Sequence, residues 1–180
     1  MEASGARPGA MTVHPLFGGA ISLTLDGEYL DASLVRQVPD NQEVLLARDS
    51  DVSVILEVLQ CVAPETDARA MEQGVRYHFD SLAHDNSAVF SVVDAADAVD
   101  GAARAGETPA PATAHGRQTV PKFGKHAQEE QVTIYVALWR LPAKNVDLVL
   151  SLNDPAGRAT AAQFRAAAAS LRIEDWGLFP

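Results

Sequence analysis

Two carboxylates three residues apart, Asp40 and Glu43, stand in the stretch RQVPDNQEV at residues 36–44. Apolar segments lead into it and out of it, so it is more polar than a plain turn requires. A pair of acids can do acid–base work on a glycosidic bond, but in a sugar cleft lined with aromatics. Aromatic residues make up only 6% of this chain. The D-x-x-E spacing is also that of a capping box opening a helix. The VLLARDSD that follows is too short and interrupted to be that helix. What remains is recognition of a partner.

Other chemistry-bearing side chains form no constellation. The five histidines, His14, His78, His84, His115 and His126, are scattered. His78 and His84 are six apart, which does not place them on one helix face, and no zinc-ligand spacing occurs. Cys61 lies in the apolar run SVILEVLQCV with no basic neighbour, which predicts a small core hydrophobe rather than a nucleophile. No GxSxG elbow, GxxxxGK[ST] phosphate loop or GxGxxG is present. LFGGAIS has paired glycines, but without the strand-to-helix context of a phosphate loop. A hydrolase would need a pocket lined with titratable groups, and the sequence names none. No catalytic residue, metal or cofactor is therefore expected.

The length of 180 residues suits one domain with a sizeable core. The composition, 47% apolar and 21% charged, is that of a globular chain. No apolar run approaches the roughly 20 residues of a membrane-spanning helix. MEASGARPGA lacks a basic start followed by an apolar stretch, and position 2 is not glycine, so neither a secretory signal nor myristoylation is expected. A single cysteine excludes an internal disulfide framework and fits cytosol or nucleus. The charge is localised. Residues 37–100 hold thirteen acids against three arginines, which supplies the whole net charge of −10. Such a segment repels phosphate backbones and disfavours nucleic acid. It suits a basic protein partner, or serves solubility alone.

These residues must be positioned by elements readable from period and punctuation. Residues 1–13 predict a loose tail, ahead of a single domain over 14–180. LFGGAISLTL reads as a turn or bulge entering a strand, with Ile21, Leu23 and Leu25 alternating. Asp31 or Ser33 can cap one helical turn carrying Leu34 and Val35, which Pro39 stops at Val38. A strand begins at Glu43. Residues 53–62 predict a strand buried on both faces. Residues 65–83 predict a helix with the stripe Met71, Val75, Phe79 and Leu82. Residues 87–95 form a further strand, and 95–114, rich in Ala, Gly and Pro, predict a mobile loop. The runs 131–141 and 146–153 pair as a hairpin around LPAKN. Residues 156–171 predict an alanine-rich helix, followed by a short strand at RIED. The order implies α+β, one largely antiparallel sheet with helices packed on its faces.

Several stretches carry a resemblance. LFGGAI (16–21), DASLVRQVPDNQEV (31–44), VILEVLQ (54–60), RYHFDSL (76–82), GRQTVPKF (116–123), VTIYVALWRLPAKNVDLVLSLNDP (132–155) and the terminal Leu178-Phe179 resemble the Ran guanine nucleotide release factors, the Mog family. The resemblance covers residues 16–94 and 116–180. It implies a Mog/PsbP-like α/β/α sandwich with a twisted, mainly antiparallel central sheet and helices on both faces. It implies a monomer of nucleus and cytoplasm, acting in nuclear import, that binds the Ran GTPase and promotes nucleotide release without bond chemistry. Carried over by motif, the Ran contacts are Asp40 and Glu43, with Asn41, Gln42 and Arg36 added by proximity. A scaffold that docks another basic protein without exchange activity is the alternative.

Overall fold

In the computed structural model, which describes residues 10–122 and 128–180, strands β1 (Met11–Leu16) and β2 (Ile21–Asp26) flank a 3₁₀ turn at Phe17–Gly19. Strand β3 (Tyr29–Asp31), a second 3₁₀ turn (Ala32–Leu34), β4 (Gln42–Ala47) and β5 (Ser53–Gln60) lead to helix α1 (Ala68–Asp85). After it come β6 (Phe90–Asp97), β7 (Ala112–Pro121), β8 (Glu129–Leu141), β9 (Val146–Asp154), helix α2 (Ala161–Ser170) and β10 (Arg172–Ile173). Seven strands make one antiparallel sheet in the order β3-β4-β5-β9-β8-β7-β6. A small sheet, β1-β2-β10, is separate.

The period of two along β8 divides the core. Tyr135, Ala137, Trp139 and Leu141 face a cluster containing Ile21 and Leu23 of β2 and Phe164 and Ala168 of α2. Ile134, Val136 and Leu138 face the opposite side, against Met71, Val75 and Phe79 of α1. Helices thus cover both faces, as expected. The small sheet is an addition to the expected sandwich, and shares one face with α2. Full burial of a side chain such as Trp139 or Phe79 is worth about 1.5–3 kcal/mol.

The β8–β9 hairpin closes as its sequence suggests. Pro142–Lys144 forms one 3₁₀ turn, and Asn145 supplies the left-handed exit at φ 54°. Elsewhere the boundaries move. Helix α1 starts at Ala68 because Asp67 is its cap, accepting from the Ala70 N–H at 3.1 Å. Helix α2 starts five residues later than expected. Buried Asp154 holds the Arg158 and Ala159 amides in a turn, and Thr160 with Gln163 completes a capping box. Strand β5 buries Val54 and Leu56 but leaves its other face partly exposed, because α1 packs over β6, β7 and β8 instead. The first helical turn ends at Leu34, short of Pro39.

Strand β1 begins inside the expected tail, whose residues 1–9 lie outside the described residues. The expected 95–114 loop is shorter than its composition implies. Strand β6 runs to Asp97 and β7 starts at Ala112. Ala112 and Ala114 are buried in the α1-side core, where small side chains fit beneath the helix. Between the strands, the Gly101 amide donates to the Thr66 carbonyl at 2.7 Å. Thr108 Oγ1 accepts from the Ile173 amide at 2.9 Å. On β7, a side chain at Gly116 would collide with the Val92 carbonyl of β6 and with Phe79.

Candidate functional site

The polar stretch is positioned from both ends. At its start, Asp31 Oδ1 accepts from the Ser33 amide at 2.9 Å and caps the Ala32–Leu34 turn. Ala32 is buried, and its carbonyl accepts from the Val35 and Arg36 amides at 3.0 Å. Anchoring through Ala32 turns the next side chains outward. Leu34 and Val35 are 74% and 65% exposed, and Arg36 is exposed beside them.

At its end, Pro39 accepts from the Gln42 amide at 3.0 Å, closing a turn with exposed Asp40 and Asn41 at its tip. Asn41 pins that tip to β5. Its carbonyl accepts from the Val58 amide at 2.9 Å, and its side-chain amide donates to the Val58 carbonyl at 3.3 Å.

Strand β4 then separates the remaining candidates. Consecutive strand residues point to opposite faces, so Gln42 and Glu43 do not share a surface. Gln42 lies across from Glu57. Burial pushes the Glu57 carboxyl upward, and a hydrogen bond from Gln42 opposes this. Glu43 lies across from Leu56, on the side of the small sheet. Its Oε1 accepts from the Phe17 amide at 2.9 Å in a half-buried setting. Phe17, Gly18 and Gly19 have φ of 50°, 67° and 92°, a run that only glycines adopt readily. Glu43 therefore braces the LFGG turn.

Two features of this surface were not assigned from the sequence. One is the exposure of Leu34 and Val35, which period alone would bury. The other is the link from Glu43 to LFGGAI, although both motifs carried the resemblance. Their adjacency was the available signal.

The one buried ionic cluster among the described residues is elsewhere. Asp147 of β9 accepts from Arg140 Nε at 2.8 Å and Nη2 at 3.1 Å, directly across the hairpin. Its Oδ2 also lies 2.8 Å from His78 Nε2 of α1. Burial pushes the Asp147 carboxyl up, but hydrogen bonds from His78 and Arg140 outweigh it and hold the group at about 2. All three side chains are buried, so the cluster joins α1 to the sheet and does not meet a substrate. Cys61 sits one residue past β5 rather than within it and is half-buried. Burial pushes its thiol up, away from the thiolate a nucleophile needs. Among the described residues no group of three or more His, Cys, Asp or Glu is arranged to hold a metal ion. No described helix is long and apolar enough to cross a membrane.

Comparison with known proteins places this architecture. A family model described as Ran-interacting Mog1 protein matches residues 14–155. A Danio rerio protein named Ran guanine nucleotide release factor is 32% identical over 92% of this chain and 98% of its own length. The nuclear import protein mog1 of Schizosaccharomyces pombe is 34% identical over 78% of this chain and 75% of its own. The crystal structure of the Saccharomyces cerevisiae Ran-binding protein Mog1p superposes with a TM-score of 0.70. That match covers 96% of this chain and all of the yeast chain, and its 24% identity makes it evidence of fold.

Proposed function

The chain belongs to the Ran-interacting Mog1 family, and on that ground we propose that it binds the Ran GTPase and promotes release of its guanine nucleotide in nuclear protein import. The observation that supports the reading most is the Glu43–Phe17 hydrogen bond. It joins two of the stretches that carry the family resemblance, LFGGAI and DASLVRQVPDNQEV, beside the pinned Asp40 turn.

The action requires binding only, with no bond made or broken. A factor that prefers nucleotide-free Ran must weaken nucleotide binding by the same ratio. Asp40, exposed on a turn held to β5, meets a basic group of Ran. Glu43 holds the LFGG turn through one oxygen and leaves its charge at the interface. Leu34 and Val35 supply apolar contact, Asn41 and Arg36 flank it, and Gln42, turned to the opposite face of β4 beside Glu57, supports the turn from behind. A turn already fixed by Pro39 and Asn41 costs little further ordering on binding. The acidic half-chain speeds encounter with a basic surface, an effect that fades with salt. The protein acts as a monomer in nucleus and cytoplasm.

The test is dissociation of a fluorescent guanine nucleotide from Ran, with and without this protein. Close interfacial charge pairs couple by about 1.5–7 kcal/mol. Asp40→Lys therefore weakens Ran binding and slows release about 10-fold or more, while its unfolding midpoint stays at the parental value. Parental binding and release by this variant would overturn the role of Asp40. Nucleotide release from Ran at the same rate with and without the parental protein would instead favour the scaffold that docks another basic protein without exchange activity.

A further inference from the structure

We propose that the strip of the large sheet beside α1, formed by β3, β4 and β5, docks an amphipathic helix of a protein partner that brings a lysine or arginine to Glu57. Strand register sets out the strip. Glu57 lies across from Gln42, Ile55 across from Val44, and Leu46 across from both Ser53 and Leu30. All are on the α1 side of the sheet, where Leu59 packs against the α1 cluster. Helix α1 itself covers β6, β7 and β8. Leu30, Leu46, Ile55 and Leu59 are consequently only half-buried. Three neighbouring strands span about 10 Å, which is the width of one helix. The flank of α1 that borders the strip is also fixed. Gly74 approaches Arg140 of β8, His78 reaches Asp147 of β9, and the charge of Asp85 acts on Glu57 of β5. Tyr77 stands largely exposed beside His78, as a rim for a second helix.

The charge of the strip decides what that helix carries. Glu57 stands between Ile55 and Leu59, two residues away on either side and on the same face. Burial pushes its carboxyl up, the nearby charge of Asp85 adds to this, and a hydrogen bond from Gln42 opposes it. His78 also opposes it but is already engaged by Asp147 at 2.8 Å. Among the described residues Glu57 forms no ion pair. A carboxylate held half out of water without a counter-charge is costly to the fold. A basic side chain arriving from outside would supply that counter-charge. Its neighbours must be aliphatic to sit on Leu46, Ile55 and Leu59, and the apolar stripe of a helix provides them. The negative charge of Glu57 and Asp85 excludes an acidic helix and a nucleic acid.

The strip lies on the face of β4 opposite to the one that Glu43 serves, so its test needs no Ran. The probe is an alanine-based helical peptide of about 15 residues, with a leucine stripe at i, i+3 and i+7 and a lysine at i+4. Two comparators carry glutamine or glutamate in place of that lysine. Each is titrated into the full chain with ¹³C-labelled isoleucine methyls, and Ile55→Val assigns the Ile55 peak. That peak should move saturably with the lysine peptide, while the peak of Ile21, buried across the sheet, stays. The glutamine peptide should bind the parent about fivefold more weakly or worse, and Glu57→Gln should weaken the lysine peptide alike. Glu57→Lys should reverse the preference and take the glutamate peptide. Glu57→Gln should also keep or raise the parental unfolding midpoint, because it removes an unpaired, half-buried charge. An unmoved Ile55 peak, equal binding of the lysine and glutamine peptides, or no reversal in folded Glu57→Lys would each overturn the site. A lower midpoint for Glu57→Gln would do so too, by giving the carboxylate a structural task.

Discussion

The backbone amide of Phe17 donates to Glu43 Oε1 at 2.9 Å, across 26 residues of chain. Phe17 is a bulky residue at φ 50°, a conformation that costs on the order of 1–3 kcal/mol. A hydrogen bond to a charged acceptor contributes about 1.5–3 kcal/mol. The two are of matching size, so this one contact can hold the LFGG turn in a shape its own backbone resists. Glu43 thereby has a structural task in addition to its charge.

Glu43→Ala should lose about 1.5–3 kcal/mol of stability in urea denaturation. Glu43→Gln keeps an acceptor for the Phe17 amide and should lose less than half of that. Its lost charge should still weaken Ran binding. Equal stability losses for the two variants would mean that the contact does not brace the turn.

Leu34 and Val35 point outward from a turn anchored by Ala32. Replacing both with serine should leave the thermal midpoint within a degree or two, since exposed substitutions change stability by about 0.5 kcal/mol at most. Ran affinity, followed by calorimetry, should fall by about 1–2 kcal/mol if the pair forms part of the interface core. Unchanged affinity would place the interface elsewhere.

Asp147 links stability to acid. Its carboxyl is lowered from 3.8 to about 2 in the folded state. The stabilisation is present above the unfolded value, complete by about pH 5, and is lost as pH falls through the folded value. At about 1.4 kcal/mol per unit, roughly 2 kcal/mol should disappear across that window. Asp147→Asn should remove this slope and cost about 3–5 kcal/mol near neutrality, because Arg140 is left buried without its counter-charge. An unaltered acid profile in the variant would refute the assignment.

Gly116 allows β6 and β7 to approach beneath Phe79. Gly116→Ala should cost about 1–3 kcal/mol through overpacking, read from its denaturation midpoint. A midpoint equal to the parent would show that β6 shifts freely at its edge.

Local pattern determined much of this molecule. The alternation through 131–153, the stripe Met71-Val75-Phe79, the Asp31 cap and the Asp40 turn all depend on neighbours within about one turn or one hairpin. The motif residues of RQVPDNQEV were legible in the same way, as a polar interruption between apolar runs. Tertiary structure decided what lies farther apart along the chain. Strand β1 was hidden because backbone pairing with β2 holds it while most of its side chains stay exposed, and Ala112 and Ala114 because small residues become core only beneath a helix. Two pairings separated by long stretches of chain, Glu43 with Phe17 and His78 with Asp147, carry no periodic signal at all. Composition placed the charge of this chain in one half; only packing decided that Asp40 stands free while Glu43 is bound into the fold, since a carboxylate takes its role from the donors that reach it.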